Sequence, residues 1–306
     1  VPEQTKGIFA MVIACLIWGL AAIYYKQIVH VPPLEVLSHR TLWSLVFLFG
    51  LLAYTGRLNE IGAMLLDKRS LVIVFVAALF ISLNWFTYIV AIQTGHVLES
   101  SLGYYIFPLV AVLLGYLFLG ERLTRVQMIA VGLAALAVVV LTIGLGVAPW
   151  ISLILAVSFG LYGLSKKSLK AGPVVSVMGE VIVLAPIALI WLWGVHQLGW
   201  TGFDGKQGGY FGNEWNSGYL GNEWNTGLLI LAGPITAAPL VLMSYAMKRL
   251  TLASVGLVQY LNPTMQFGLG ALIFMEPVTV WHFIAFVLIW LGLALYSYEA
   301  LHRERS

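Results

Sequence analysis

Two ionisable side chains stand inside long apolar stretches of this sequence. Arg40 lies six residues into one stretch and Glu180 equally deep in another, about 9 Å from the nearer end of a helix rising 1.5 Å per residue. A charge at such depth in a membrane helix costs about 2.5–3.5 kcal/mol on insertion scales, so it usually faces a cavity or a partner. A guanidinium there binds a carboxylate or another anion, and a carboxylate there takes up a proton or an amine. Snorkelling and structural pairing are the alternatives for both. Glu99 opens a further stretch, where the helix dipole stabilises negative charge; pairing with Arg40 or binding a substrate amine are its other readings. Glu121, Glu276 and Lys167 stand at stretch ends and read as structural.

Aromatic and amide side chains recur at helical spacing around these charges. Arg40, Trp43 and Phe47 share one face, Asn84 and Tyr88 another, and Trp85 adjoins the latter. Ser101, Tyr104, Tyr105 and Pro108 form a stripe that Gly256, Gln259, Tyr260 and Pro263 repeat, with Asn262 beside it; Phe159 and Tyr162 add a further pair. Packing and interfacial anchoring explain many such aromatics. Asn84, Gln259 and Asn262 are costlier to leave unpaired in lipid and are expected to face a cavity. The predicted small-molecule site places a negative group near Arg40, between Trp43, Asn84, Tyr88, Tyr104 and Tyr260, with Trp85, Glu99, Ser101, Tyr105, Tyr162, Glu180, Gln259 and Asn262 around it. Pro108 and Pro263 each remove a backbone bond mid-helix, and are expected to kink two central helices and act as hinges. The sequence carries no His-Glu-x-x-His, no Gly-x-Ser-x-Gly and no metal-spaced cluster among its 6 His and 1 Cys. This argues against an enzyme, a metal and a cofactor. It also lacks a Gly-x-x-x-x-Gly-Lys-Ser/Thr loop, so any uphill movement of a solute must follow a gradient. Glu180 is the expected proton carrier, with unassisted facilitated movement as the alternative.

The elements that must position these residues follow from composition. Of 306 residues, 60% are apolar and 9% charged, against about 25% charged in soluble domains. So few charges cannot cover a soluble surface, which excludes a soluble enzyme, a disordered chain and, with Cys15 alone, a disulfide scaffold. Sixteen basic against 13 acidic residues form no phosphate-binding stripe, so nucleic acid is not an expected partner. Membrane helices need about 20 apolar residues, and ten such stretches occur: 7–25, 34–55, 71–93, 97–119, 126–147, 149–165, 174–198, 227–247, 252–275 and 279–301. Their continuous apolarity excludes a barrel of alternating strands. The first stretch ends in Tyr24-Tyr25-Lys26 rather than a small-residue cleavage site, and reads as a span. Thirteen basic residues (Lys6, Arg57, Lys68, Arg69, Arg122, Arg125, Lys166, Lys167, Lys170, Lys248, Arg249, Arg303, Arg305) fall on the side of both termini, and only Lys26 and Lys206 fall opposite. By the positive-inside rule both termini are cytoplasmic.

The two halves repeat. Tyr105-Ile106-Phe107-Pro108 matches Tyr260-Leu261-Asn262-Pro263, and at the same offset Ala91 meets Ala246, Gly115 meets Gly270, Glu121 meets Glu276 and Thr124 meets Thr279. Trp18-Gly19-Leu20 resembles Phe159-Gly160-Leu161, and Arg40 and Glu180 are repeat partners. Five spans per half is an odd number, so the halves enter the bilayer from opposite sides, a signature of secondary transporters with a midplane site. The expected fold is an all-α polytopic membrane protein, one domain over 1–306, with repeat one at 1–147 and repeat two at 148–306.

On Trp18-Gly19, Glu35-Val36-Leu37-Ser38-His39-Arg40, Leu42-Trp43-Ser44, Leu83-Asn84-Trp85 with Tyr88, 95–104, Leu119-Gly120-Glu121-Arg122, Ala232-Gly233-Pro234 and Gln259-Tyr260, the chain resembles the EamA family of the drug/metabolite transporter superfamily, and its RarD-type members most closely. The resemblance implies a ten-helix permease of the bacterial inner membrane. It also implies small metabolites, amino-acid-like compounds or drugs as cargo, with export leading and uptake, exchange or a channel as alternatives. Lipid and a small molecule are the expected partners, and a monomer is possible. One stretch departs from the family: 209–226 holds two near copies of a nine-residue unit, Gly-Tyr-Phe-Gly-Asn-Glu-Trp-Asn-Ser and Gly-Tyr-Leu-Gly-Asn-Glu-Trp-Asn-Thr. It is expected as a duplicated loop, native or engineered, within 200–226 outside the membrane.

Overall fold

The computed structural model describes residues 2–120, 122–146, 148–166, 169–200, 222–247, 249–250 and 258–305, and among them the regular structure is helical throughout. In the first half lie α1 (Glu3–Gln27), α2 (Pro33–Tyr54), α3 (Leu58–Leu66), α4 (Lys68–Thr94), α5 (Val97–Leu119) and α6 (Arg125–Leu145). The second half holds α7 (Trp150–Lys166), α8 (Pro173–Leu198), α9 (Asn222–Met247), α10 (Leu261–Gly268) and α11 (Val280–Arg305). Local chemistry sets many of the ends. Pro33 and Pro173 start α2 and α8 with φ already fixed and no amide to lose. Thr124 and Gln127 cap α6 reciprocally. Gly95, Gly120, Gly146 and Gly199 end α4, α5, α6 and α8 at φ of +65° to +80°, a conformation a side chain would strain.

Eight of these helices are long and apolar enough to cross a membrane, and α7 is a shorter apolar one. Large apolar side chains such as Phe9, Phe118, Ile143, Ile187, Trp193 and Phe283 cover the outside. Such a surface suits lipid and not water. The protein is a polytopic, multi-pass membrane protein.

Helix packing brings distant segments together. α2 packs on α8 and α9, α1 on α9 and α10, α5 on α7 and α10, α4 on α7 and α8, and α6 on α11. Two of these seams need glycine. A β-carbon on Gly233 would strike the Trp43 carbonyl across the α2–α9 seam, and one on Gly103 would lie 2.9 Å from the Ser152 oxygen across α5–α7. Small residues let membrane helices meet backbone to backbone.

Four features differ from the sequence expectation. The stretch between the second and third spans is not a plain loop: α3 lies there and buries Ile61 and Met64 against α4 and α8. α9 begins at Asn222, so the end of the duplicated unit is helical and Asn225 is buried, 3.1 Å from His30 Nε2; 201–221 lie outside the described residues. Pro263 stands beside a break rather than inside one continuous helix: 258 and 259 are helical, Tyr260 is a turn residue, and Pro263 is the third residue of α10. A further irregularity follows in a π turn at Leu269–Ile273, where Phe274 N donates to Leu269 O at 2.8 Å. Pro108 does lie inside α5.

Candidate functional site

A cavity of about 910 Å³ runs between the helices. At the end carrying the chain termini it reaches Leu169, Ala171 and Pro173, in the link between α7 and α8, and the last turns of α11 at Tyr296 and Ser297. Towards the other, far end its lining among the described residues includes Tyr25 and Arg40. Several ties hold that far end together. Gln93 Nε2 donates to Ile28 O and Val31 O, each at 3.1 Å. Glu276 accepts the amides of Val97 and Leu98, both at 2.8 Å, and so caps α5 from another segment. Met275, next to Glu276, has φ +54°, a strained conformation held by its surroundings.

Of the residues expected to line the site, Arg40, Asn84, Trp85, Tyr88, Tyr104, Tyr162, Gln259, Tyr260 and Asn262 do so, together with Pro108 and Pro263. Arg40 is buried, donates from Nη1 to the Tyr25 hydroxyl at 2.9 Å and lies 4.2 Å from the centre of the Trp85 ring. Among the described residues no carboxylate pairs with it. Asn84 is fully engaged: Nδ2 donates to Leu155 O (3.0 Å) and Ser158 Oγ (3.1 Å), while Oδ1 accepts the Tyr104 hydroxyl (3.2 Å). It fixes Tyr104 rather than greeting a ligand directly.

Five expected residues fall off the cavity wall. Ser101 donates to Pro263 O at 2.8 Å and Tyr105 meets Thr264 Oγ1 at 2.6 Å, so both sit in the α5–α10 seam. Trp43 backs onto Gly233. Glu99 lies 4.0 Å from His96 and does not pair with Arg40. Glu180 is fully buried behind the wall and held by Lys166 Nζ (2.8 Å), Tyr162 hydroxyl (3.1 Å) and Ser176 Oγ (3.1 Å). Its charge is matched by Lys166.

The wall also holds residues not expected in it. Lys166, read from sequence as a loop cation, ends α7 one turn from Tyr162, bonds its hydroxyl at 2.6 Å and lines the cavity. Tyr25 and Trp18 come from α1. The spacings Tyr162/Lys166 and Trp18/Ala21/Tyr25 are helical and were available signals. Off the cavity lining, Glu35, His39 and His196 bring one donor atom each to within 4.8 Å of one another. Sequence spacing gave no hint of His196, which comes from a different helix.

Helices that bury their polar groups, an apolar outer surface and a solute-sized chamber between the helices, lined by aromatic and a few polar side chains, define a membrane permease-type protein. Comparison with known proteins gives the group. The EamA-like transporter family matches residues 5–143. An uncharacterized transporter, YojE, of Bacillus subtilis is 37% identical, over 99% of this chain and 97% of its own. Protein RarD of Streptomyces exfoliatus is 38% identical over 99% and 91%, and protein RarD of Escherichia coli 34% over 99% and 98%. A crystal structure at 18% identity superposes with a TM-score of 0.59 over 95% of this chain and 97% of that one, a likeness of fold. The chain belongs to the EamA family of the drug/metabolite transporter superfamily, as a RarD-type permease.

Proposed function

We propose that this protein is a secondary transporter built of ten spans in two inverted five-helix repeats, exporting small metabolites across the bacterial inner membrane by alternating access. The observation that carries the reading is the exchange pattern of helix contacts around one cavity. Let α1, α2, α4, α5 and α6 correspond to α7, α8, α9, α10 and α11. Under that exchange the α5–α7 seam becomes α10–α1, α4–α7 becomes α9–α1, and α4–α8 becomes α9–α2; α2–α8, α5–α10 and α6–α11 map onto themselves. Each of these contacts occurs. Two halves related in this way can rock about a shared site, opening it to one side and then the other.

The basic bias puts the termini in the cytoplasm, so a cavity that reaches the termini end and is tied shut at the far end corresponds to an inward-facing state. One chain holds the whole cavity, so a monomer suffices, with lipid around it. The three donors on Glu180 speak for an anchor rather than a proton carrier, and favour facilitated movement down the cargo gradient. The test is flux from preloaded liposomes of the purified chain, with and without an imposed pH gradient. Cargo efflux above protein-free vesicles that merely equilibrates, whatever the pH gradient, is expected. Uphill movement driven by protons would refute the uncoupled reading, and no protein-dependent flux for any small metabolite would refute the transporter reading.

A further inference from the structure

The cavity has a charge without a counter-ion and two buried donors without a partner among the described residues: Arg40 Nε and the Tyr88 hydroxyl. Both residues are 6% exposed and both line the cavity. Tyr25 joins them, accepting from Arg40 Nη1 at 2.9 Å and meeting the Tyr88 ring edge-on at 5.7 Å between centres. An unsatisfied buried donor destabilises the protein, and an unpaired buried charge does so more strongly. A ligand that accepts from both would relieve that destabilisation.

The rest of the lining fixes the ligand's charge. The ionised groups that reach the cavity among the described residues are Arg40 and Lys166. Lys166 is neutralised by Glu180 at 2.8 Å, so among the described residues the lining carries one net positive charge, at Arg40, and no carboxylate for a ligand ammonium. Two of the lining rings that could attract one already hold a cation: Arg40 lies over Trp85 at 4.2 Å and Lys166 over Tyr162 at 4.5 Å. Between the two cations runs a chain of rings, Tyr88 to Tyr104 (6.0 Å), Tyr104 to Phe159 (6.1 Å) and Phe159 to Tyr162 (5.8 Å). Such walls suit a flat, apolar body.

We infer that the cargo is an organic monocarboxylate with an aromatic or otherwise flat apolar body, its carboxylate accepting from Arg40 Nε and the Tyr88 hydroxyl, and that zwitterionic amino acids are discriminated against. This rests on the transporter reading for the word cargo; the binding site stands on the geometry alone. It narrows the expectation of amino-acid-like substrates, because the ammonium of such a molecule finds no counter-charge.

Three probes of one carbon skeleton separate the possibilities: 3-phenylpropanoate, 3-phenylpropanamide and phenylalanine. Their binding to the detergent-purified chain is measured by calorimetry and by thermal shift. The acid is expected to bind at least about tenfold more tightly than the amide or the amino acid. Tyr88→Phe, which removes one hydroxyl and little volume, is expected to weaken the acid about fivefold and leave the amide unchanged. Arg40→Gln, if it folds, is expected to abolish the preference. Equal binding of acid and amide, tighter binding of phenylalanine, or no binding of the acid at about 10 mM would each overturn the inference. Counterflow of labelled 3-phenylpropanoate in liposomes is read separately. Binding without movement leaves the site standing and removes the transport reading, whereas flux of acid and amide alike does the reverse.

Discussion

Replacing Glu276 by alanine removes the tie that closes the far end between the π turn and α5. The carboxylate accepts two amides at 2.8 Å each, at the positive end of the α5 dipole. Hydrogen bonds to a charged group contribute about 1.5–3 kcal/mol each. Glu276 is only partly buried, so water can replace part of what is lost, and about 2 kcal/mol for the pair is a fair figure. If the bond exists only in the far-closed state, the ratio of far-open to far-closed molecules rises about 30-fold. The assay uses a Cys15→Ala background with cysteine at Ala21, a cavity-lining position on α1. A membrane-impermeant thiol reagent added from the far side reads the open fraction. Glu276→Gln, which keeps one acceptor but not the charge, is expected to fall between. Unchanged labelling in a folded Glu276→Ala protein would refute the reasoning, because the tie would then be equally strong in both states or irrelevant to either.

Other substitutions test other parts of the structure. Lys166→Met leaves Glu180 buried without its cation and is expected to destabilise the chain by about 3–5 kcal/mol; adding Glu180→Gln should recover most of the lost melting temperature, and no recovery would deny the pair. Gly233→Leu forces a side chain into the Trp43 backbone and is expected to cost at least about 1–3 kcal/mol, seen as a lower melting temperature, whereas Gly50→Leu on an open surface should not. Asp67 caps α4, and the Ser70 hydroxyl and amide hold its carboxyl below the usual carboxylate range. A lowered folded pKa means the cap is present above the unfolded value of about 3.9 and lost as pH falls through the folded one. Hydrogen exchange at Ser70 and Leu71 should therefore rise, after correction for intrinsic rate, only at acid pH, and Asp67→Asn should remove the pH dependence. Single cysteines at Arg57 and Ser217 should label from opposite sides of the membrane; labelling of both from the outside would overturn the ten-span topology.

Much of the site was legible because helical spacing and polarity together mark a cavity face. Arg40, Asn84 with Tyr88, and Tyr104 with Pro108 each stand out as polar, ring-bearing or helix-breaking residues in apolar surroundings. What spacing could not do was place the edge of a face. Ser101, Tyr104, Tyr105 and Pro108 share a stripe about 100° wide, and the stripe straddles a boundary: Tyr104 and Pro108 meet the cavity, while Ser101 and Tyr105 meet α10. Trp43 shows the same limit on α2, three residues from Arg40 yet off the cavity lining, with its backbone against Gly233 of α9. Glu180 and Lys166 were hidden for a different reason. Each was legible as a charge, but their pairing joins α7 and α8 and depends on how far α7 runs. The cluster of Glu35, His39 and His196 has the same origin, since His196 lies far along the chain from the other two.

The π turn at Leu269–Ile273 has a bearing on how this protein can change over generations. A π turn is an α-helix carrying one surplus residue. Were a single residue lost there, the wide turn would relax to ordinary winding and the segments on either side would keep their phase, leaving Glu276 near the Val97 and Leu98 amides. A residue lost from the regular winding of α10 would instead turn everything beyond by about 100° around the axis. Length is thus more freely changed within the turn than before it. Composition is not free there, because a β-carbon on Gly270 would lie 3.0 Å from the Leu98 side chain.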